Sequence, residues 1–287
     1  MNFRITLIFT LLIVMPVTLS AQGRSDEQIK RHIIKSEYIE QDLYIQVKVP
    51  KGYEKSEERY EVLYYLDGDR THGFIYDLYS PLNWYKEIPN LILVGIDIIV
   101  PKGTRLGLIR SLNFTPTKTN AHADRKQQSF PEEWTGGADL FLQSFESEII
   151  SLIEAEYRTK PGKRTLMGNS LGGLLCLYSV FEKPGLFENI IASSPPLLYD
   201  NNVMLQIESE FAQNNKELPL NIFYAVGGLE GSIEESMLGS FVAFQKQFGS
   251  RNYKGLNSAG KIFDGHSHAS IKFISYTTGL RYVFAQD

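Results

Sequence analysis

The chain has 287 residues, of which 43% are hydrophobic and 22% are charged, a composition typical of a globular protein. The length favours one large α/β domain over two small ones. With a formal net charge of −4, a pI near 5.8 and no basic cluster in the sequence, the chain is not expected to bind nucleic acid or an anionic membrane surface.

The first residues are typical of an export signal. Arg4 precedes an apolar run over residues 5–19, and Ser20-Ala21-Gln22 leads into a polar stretch. A positive start, an apolar core and an exit of small residues are the parts of a secretory signal peptide. We therefore expect residues 1–21 to be removed from a periplasmic or secreted protein with no stable membrane insertion, although the cleavage position stays open. The alternative is an uncleaved anchor, for which the run is shorter than the ~20 residues of a comfortable bilayer span.

After a polar segment over residues 22–37, strand-like and helix-like segments alternate along the chain. This alternation predicts an α/β fold with a mostly parallel central sheet and helices on both faces, formed by a single domain over residues 38–287. The predicted strands cover, in chain order, residues 38–49 (an edge strand or hairpin), 62–66, 91–100, 164–167, 189–193, 220–226 and 261–263. The predicted helices cover residues 139–157, 171–181, 233–248 and 271–284.

Residues 101–137 form a long stretch with no clear hydrophobic period, and they contain proline, glycine and many polar side chains. Long loops inside an ordered domain usually have a function, and we expect this one to border an active site. In it, Arg110 can pair with a carboxylate or phenolate of a substrate, and Trp134 offers a flat wall for an aromatic or sugar ring. The alternative is a solvated loop in which Arg110 bridges two loops and Trp134 fills a small secondary core.

Ser170 lies in the pattern Gly-x-Ser-x-Gly, within the sequence Gly168-Asn169-Ser170-Leu171-Gly172-Gly173. A short predicted strand precedes it, and a segment that is apolar on all sides, as a buried helix should be, follows it. A serine between such elements occupies a strained turn that only small neighbours tolerate, and its hydroxyl projects beside the N–H groups at the start of the helix. Because the pattern is short enough to arise by chance, its position between strand and helix is what predicts Ser170 as a nucleophile.

A serine hydroxyl needs a base to remove its proton and a carboxylate to orient that base. In this fold the chain order is serine, acid, histidine, and only His266 and His268 follow Ser170 far enough along the chain. Glu230 is the expected acid, because the Gly-Gly turn after the predicted strand 220–226 can aim its carboxylate at the histidine loop. The alternatives are Glu234, Glu235 and Asp264, whereas the acids expected on solvated faces are Glu182, Glu188, Glu208, Glu210 and Glu217.

An oxyanion hole needs N–H donors aimed at the developing negative charge. The N–H of Leu171, directly after the serine, is one donor, and Gly68 or Asp69, directly after a predicted strand, should supply the other. No metal or cofactor is expected. The Asp-Gly-Asp sequence around Gly68 resembles the start of a calcium loop but lacks the glutamate ligand, and the histidine loop has no cysteine or acid pattern at zinc-ligand spacing.

Several segments together resemble the esterase family of α/β-hydrolases, which includes siderophore (enterochelin-type) esterases and esterase-D-like enzymes. The resemblance extends from about residue 38 to residue 284. The segments that carry it include the run Leu-Asp-Gly-Asp, the elbow itself, Ser-Pro after the next strand and Gly-His-Ser-His-Ala-Ser, and they lie at residues 62–69, 136–142, 157–159, 167–174, 194–195 and 265–270.

The resemblance implies an α/β-hydrolase fold and the hydrolysis of carboxylic esters. In the family's pattern Gly-x-x-His-small-Ser the base is the fourth residue, which favours His268 over His266. The family's oxyanion loop corresponds to Gly68 and Asp69, and the segment that contains Arg110 resembles a family segment beside the pocket. Some siderophore esterases of the family are thought to work with a serine–histidine pair, so the resemblance leaves the need for an acid open.

The sequence as a whole predicts an exported carboxylic-ester hydrolase that works through an acyl-serine intermediate. Family members act on siderophores, aryl esters and acetylated or feruloylated sugars, so the resemblance implies a small-molecule or glycan ester as substrate. Asn169 and Pro196 replace a histidine and a serine usual in the family, and they are expected to affect pocket shape rather than the triad. The alternatives are an acyltransferase with the same residues and a catalytically inactive binding module. The oligomeric state stays open.

Overall fold

The computed structural model describes residues 29–120, 131–231 and 237–285. The predicted export signal and the alternative acids Glu234 and Glu235 lie outside these residues. Within them, one sheet is formed by eight strands: β1 (Ile29–Lys35), β2 (Asp42–Lys48), β3 (Tyr60–Leu66), β4 (Leu91–Ile98), β5 (Thr159–Asn169), β6 (Asn189–Ser193), β7 (Glu217–Gly227) and β8 (Lys254–Phe263).

The described helices connect these strands or follow them. They are α1 (Gly68–Trp84), α2 (Leu106–Phe114), α3 (Ala138–Ser144), α4 (Ser151–Glu156), α5 (Leu171–Glu182), α6 (Tyr199–Asn214), α7 (Met237–Ser250) and α8 (Ile271–Val283). A π-helical segment, Phe145–Ile150, joins α3 to α4, and short 3₁₀ turns cover Tyr53–Lys55 and Glu132–Trp134.

Across the sheet the strands follow the order β1-β2-β4-β3-β5-β6-β7-β8. From β4 to β8 all neighbours are parallel, whereas β2 runs antiparallel to both β1 and β4. Parallel neighbours need crossover connections, and the helices supply them. The carboxyl ends of β3, β5, β6, β7 and β8 therefore meet at one end of the sheet, which is where ligands bind in open α/β sheets.

Strand β3 is buried almost throughout, because helices cover both faces of the sheet. Its alternate side chains join different hydrophobic cores: Val62, Tyr64 and Leu66 belong to one, and Leu63 and Tyr65 belong to the other. The first core is shared with helices α2 to α7 and the second with α1 and α8. The predicted α/β-hydrolase fold, a mostly parallel sheet with helices on both faces, is confirmed.

Helices α1 and α6 were not among the predicted helices, and the largest differences among the strands lie at the edges of the sheet. Strand β1 was not predicted, and it places the start of the sheet before residue 38; the predicted strand over residues 38–49 is β2, which pairs with β1 as a hairpin. Strand β8 begins at Lys254 rather than at residue 261. Both β1 and β8 expose many of their side chains, so neither has the hydrophobic pattern of a buried strand.

The long loop predicted over residues 101–137 contains regular structure. Helix α2 and the turn Glu132–Trp134 lie within it, whereas residues 121–130 lie outside the described residues. Helix α2 buries the polar residues Ser111 and Asn113 together with Ile109 and Phe114. Because helix α2 has only 9 residues, fewer than the window over which a helical period is recognised, the sequence pattern did not predict this helix.

Glu208 was expected on a solvated face, and this expectation is wrong. Its side chain is 0% exposed. It accepts hydrogen bonds from Arg251 at 3.0 Å, from the Tyr253 hydroxyl at 2.8 Å and from Gln247 at 2.6 Å. A buried carboxylate requires such partners, so Glu208 ties α6 to α7 and to the segment that precedes β8.

Helix α8 packs closely on the sheet at Gly279. A Cβ atom at this position would lie 2.6 Å from Ile191 Cγ2 and 3.0 Å from Phe223 Cδ1. We therefore expect Gly279→Ala to destabilise the protein by ~1–3 kcal/mol in urea unfolding, because overpacking outweighs the helix propensity of alanine. In the matched control Gly249→Ala on α7, a Cβ meets no described atom within 4 Å, so stability should stay equal or rise. Equal losses in both variants would contradict the close packing.

Candidate active site

Ser170 lies in a strained turn between β5 and α5. Its backbone has φ 59° and ψ −125°, a conformation that residues other than glycine rarely adopt. Steric crowding explains the neighbouring glycines: a Cβ on Gly168 would lie 2.4 Å from the carbonyl oxygen of Gly172, and a Cβ on Gly173 would lie 2.7 Å from that of Ser193. The structure therefore has the strand, sharp turn and helix that the Gly-x-Ser-x-Gly pattern predicted.

His268, in the loop between β8 and α8, is the histidine that reaches Ser170. Its Nε2 is 3.1 Å from Ser170 Oγ, and its Nδ1 is 2.6 Å from Glu230 Oε2. Because an ionised carboxylate only accepts hydrogen bonds, Nδ1 carries the proton and Nε2 faces the serine hydroxyl as an acceptor. The Nδ1 of His266 is buried without a hydrogen-bond partner among the described residues, and its ring packs edge-on against Phe263.

Glu230 is buried in the turn after β7, with 4% of its surface exposed. One carboxylate oxygen accepts the Gly227 N–H at 2.8 Å, and the other accepts hydrogen bonds from His268 Nδ1 and from the Ser194 hydroxyl. Burial raises the pKa of this carboxyl, but the hydrogen bonds from His268, Ser194 and Gly227 outweigh burial and hold the pKa below its usual value. Of the alternative acids, Asp264 is exposed.

Steric crowding explains why the turn before Glu230 contains glycine. A Cβ on Gly227 would lie 2.2 Å from the carbonyl oxygen of His266, and that same oxygen accepts the Leu229 N–H at 3.0 Å. The acid turn and the histidine loop thus pack backbone against backbone. This contact fixes the position of Glu230 relative to His268. His266 therefore contributes to the site through its main-chain carbonyl oxygen.

Ser194 is a residue of this site that the sequence analysis missed as a candidate. It directly follows β6 and is fully buried. Its Oγ lies 2.5 Å from Glu230 Oε2 and 2.8 Å from His268 Nδ1. The sequence feature that could have identified Ser194 is its position in a Ser-Pro pair at the carboxyl end of a predicted strand. Functional residues of parallel sheets collect at such strand ends.

The oxyanion-hole candidates fall into two groups. Gly68 and Leu171 are the first residues of α1 and α5, and N–H groups at helix starts have no acceptor within the helix. The N–H of Asp69, in contrast, is donated to Asp97 Oδ2 at 2.5 Å. Gly68 is required there, because a Cβ would lie 2.8 Å from the backbone of β4.

Asp97 is a second residue that the sequence analysis did not single out. It lies on β4, within a predicted apolar strand, and its carboxylate faces the start of α1. Burial raises the pKa of Asp97 to about 7, and the charges of Asp67 and Asp69 act in the same direction, whereas the Asp69 N–H and Arg70 oppose them.

Arg110 makes the bridging contacts of the alternative interpretation, whereas Trp134 does not fill a small secondary core. Arg110 forms a two-point ion pair with Asp67, at 2.6 and 2.8 Å, and its Nη2 donates to the carbonyl oxygen of Asn169 at 3.2 Å. It thereby bridges the start of α1 and the residue before Ser170. Trp134 is partly buried and packs against the larger core. A role of either side chain in substrate binding stays a prediction.

Among the described residues, no three histidine, cysteine, aspartate or glutamate side chains lie close enough together to hold a metal ion. None of the described helices combines the length and apolar character that a membrane span needs.

A family model described as "Putative esterase" matches residues 36–269 of the chain. The ferri-bacillibactin esterase BesA of Bacillus subtilis (strain 168) is 26% identical over 237 residues, which are 79% of this chain and 80% of the relative. A siderophore triacetylfusarinine C esterase of Aspergillus fumigatus is 25% identical over 182 residues, 53% of this chain and 61% of the relative.

Solved structures share the fold of this chain. The BES protein from Bacillus cereus superposes with a TM-score of 0.77 at 25% identity, covering 92% of this chain and 99% of that protein. An IroE-like serine hydrolase from Shewanella oneidensis superposes with a TM-score of 0.76 at 25% identity, covering 91% and 82%. The match to the family model, over residues 36–269, includes Ser170, Glu230 and His268.

The raised pKa of Asp97 makes stability depend on pH. A carboxyl whose pKa rises from 3.8 to about 7 on folding stabilises the fold below the lower value, and that contribution is lost as the pH rises through the higher one. Asp97→Asn keeps a hydrogen-bond acceptor but does not ionise, so it should raise the melting temperature relative to wild type more at pH 8 than at pH 5. The exposed Asp77→Asn controls for the loss of one negative charge. A gain from Asp97→Asn that is the same at both pH values would contradict this expectation.

Proposed function

This chain belongs to the esterase family whose model it matches and is a carboxylic-ester hydrolase, and we propose that Ser170 is the nucleophile of an acyl-serine mechanism. The observation that carries the proposal is one line of contacts: Ser170 Oγ to His268 Nε2 at 3.1 Å, then His268 Nδ1 to Glu230 Oε2 at 2.6 Å. In this line the histidine is the base and the carboxylate orients it.

In the proposed reaction, Ser170 Oγ bonds to the carbonyl carbon of the ester while its proton moves to His268 Nε2. Glu230 stabilises the imidazolium through the Nδ1–H bond. When the tetrahedral intermediate collapses, the C–O bond to the alcohol breaks and the proton passes from Nε2 to the alcohol oxygen. A water molecule, deprotonated by His268, then attacks the acyl-serine, releases the acid and restores the hydroxyl.

We place the oxyanion hole between the starts of two helices. Gly68 begins α1 and Leu171 begins α5, and the positive end of each helix dipole favours a negative charge. Their N–H groups are the proposed donors, because the N–H of Asp69 is already donated to Asp97. Preorganised donors of this kind stabilise the developing oxyanion strongly.

Arg110 is proposed to hold the two N–H donors of the oxyanion hole at a fixed separation. Its guanidinium bonds to Asp67, directly before Gly68, and to the carbonyl oxygen of Asn169, two residues before Leu171. A planar guanidinium with several donors can hold two groups at a fixed separation. In this proposal Arg110 sets the distance between the two helix starts and does not contact the substrate.

A siderophore ester is the proposed substrate class, and the names of the two curated relatives support it. An aromatic and cationic surface beside the start of α8 also supports it. There, Lys272 Nζ is 5.8 Å from the ring centre of Phe74, whose ring meets that of Phe273 at 4.8 Å, and Phe273 is 54% exposed. Such a surface suits anionic aromatic groups. Residues 1–21 support export of the mature enzyme.

Ser170→Ala is expected to fold normally and to lose activity by ~10³-fold or more, because no other group replaces the nucleophile. The assay compares release of acid from a siderophore ester, an aryl ester and an acetylated or feruloylated sugar. A fluorophosphonate probe should label the wild type and leave Ser170→Ala unlabelled. Labelling of a different serine, or turnover in the variant close to wild type, would refute the assignment.

The same assay decides between substrate classes. A clear kcat/KM preference for the siderophore ester supports the proposal, and a preference for the aryl or sugar ester replaces it by that class. Added sugar or lipid alcohols test for acyl transfer: formation of a new ester at the expense of free acid identifies an acyltransferase. Absence of both turnover and probe labelling would indicate that the chain is a catalytically inactive binding module.

Arg110→Ala is expected to lower kcat by about 10-fold or more for every ester, since a misplaced oxyanion donor weakens transition-state binding alike for all substrates. Values of kcat and KM for a neutral and an anionic ester measure this. Trp134→Ala, a change at the larger core, is the comparison variant and should mainly lower the melting temperature. A loss in Arg110→Ala confined to the anionic ester would instead assign Arg110 to the substrate.

A further inference from the structure

We propose that Ser194 is a positioning residue for His268, and that its hydroxyl oxygen accepts the Nδ1–H of His268 when the Glu230 carboxylate is removed. The proposal rests on the proposed roles of Ser170, His268 and Glu230. It adds a second acceptor for the same ring nitrogen, one that neither the sequence pattern nor the family relationship assigns.

Three atoms form a close triangle behind the imidazole. Ser194 Oγ is 2.5 Å from Glu230 Oε2 and 2.8 Å from His268 Nδ1, and the latter two atoms are 2.6 Å apart. The triangle contains two hydrogens, one on Ser194 Oγ and one on Nδ1, and an ionised carboxylate accepts both. The hydroxyl oxygen keeps lone pairs of its own, at hydrogen-bond distance from Nδ1.

The position of the Ser194 hydroxyl is fixed by its own backbone. Ser194 has φ 46°, in the left-handed region that non-glycine residues seldom occupy. Its N–H donates to the Ala225 carbonyl oxygen on β7 at 2.7 Å, and Pro195 and Pro196 follow it. Side chain and backbone are fully buried. A residue held in this way keeps its hydroxyl beside Nδ1 whether or not the carboxylate is present.

The two acceptors are unequal in strength. The carboxylate carries charge, whereas the hydroxyl is neutral, and hydrogen bonds to an ionised partner are about twice as strong as neutral ones. In the wild type the hydroxyl also donates to the carboxylate and helps to keep it ionised. Without Glu230, the hydroxyl can still hold the ring in the tautomer that leaves Nε2 free to accept the serine proton. Without either group, the tautomer and the ring orientation are both lost.

A double-mutant cycle tests this proposal. The four proteins are wild type, Ser194→Ala, Glu230→Ala and the double variant, assayed for kcat and KM with one aryl ester. We expect each single change to lower kcat with little change in KM, and the double change to lower kcat by at least ~10-fold more than the product of the two single losses. Coupling of this size is within the range measured for residues in contact.

Three outcomes would overturn the proposal. A double loss equal to the product would make the two residues independent, and a double loss equal to that of Glu230→Ala alone would mean that Ser194 acts only through the carboxylate. A change in KM with kcat intact would place Ser194 in substrate binding. Failure of the proposed function is seen separately, because it would appear as turnover in Ser170→Ala, whatever the cycle shows.

Two further variants keep the result interpretable. Ser194→Gly removes the hydroxyl and also suits the left-handed backbone, so it replaces Ser194→Ala in the cycle if alanine unfolds the protein there. Ser275→Ala is the matched control: this serine is also 0% exposed, and its hydroxyl has no hydrogen-bond partner among the described residues. Its kcat should equal that of wild type, and melting temperatures report folding of every variant.

Discussion

The rest of the site depends on one backbone constraint, the strained turn at Ser170. Its positive φ lets the chain leave β5 and enter α5 within a single residue, which places the hydroxyl and the Leu171 N–H side by side. Carbonyl oxygens of the turn and of the neighbouring strand approach so closely that only glycine fits at positions 168 and 173. The strain is maintained because the buried helix and the central strand on either side leave the turn no other path.

The parallel order of the strands is the second constraint on the site. Because β3, β5, β6, β7 and β8 end at the same end of the sheet, the residues that follow them converge although they lie far apart in the chain. Contacts among Ser170, Ser194, Glu230 and His268 span between 36 and 98 residues of sequence. Each side chain reaches the site from a separate loop, so the sheet fixes their relative positions.

Charged side chains bond to the residues at the starts of α1 and α5, next to the contacts among Ser170, His268 and Glu230. Arg110 neutralises Asp67 and reaches the carbonyl of Asn169, while Asp97 holds the N–H of Asp69. The contact with Asp97 explains why the N–H of Asp69, one of the predicted oxyanion donors, is engaged elsewhere. A carboxyl at the end of a hydrophobic strand is tolerated, since its raised pKa lowers the cost of burial.

The sequence by itself determined the fold class, the buried strands and the candidates Ser170 and Glu230, because apolar runs, a glycine-rich turn and chain order are local or one-dimensional signals. It left His266 and His268 unresolved on residue chemistry alone, and it missed the helices α1, α2 and α6, the strand β1 and most of β8. Only the tertiary structure decided which histidine faces the serine, that the N–H of Asp69 is donated to Asp97 and that Ser194 adjoins His268. These are distances between loops, and a loop's path depends on the backbone packed against it, such as the His266 carbonyl against Gly227.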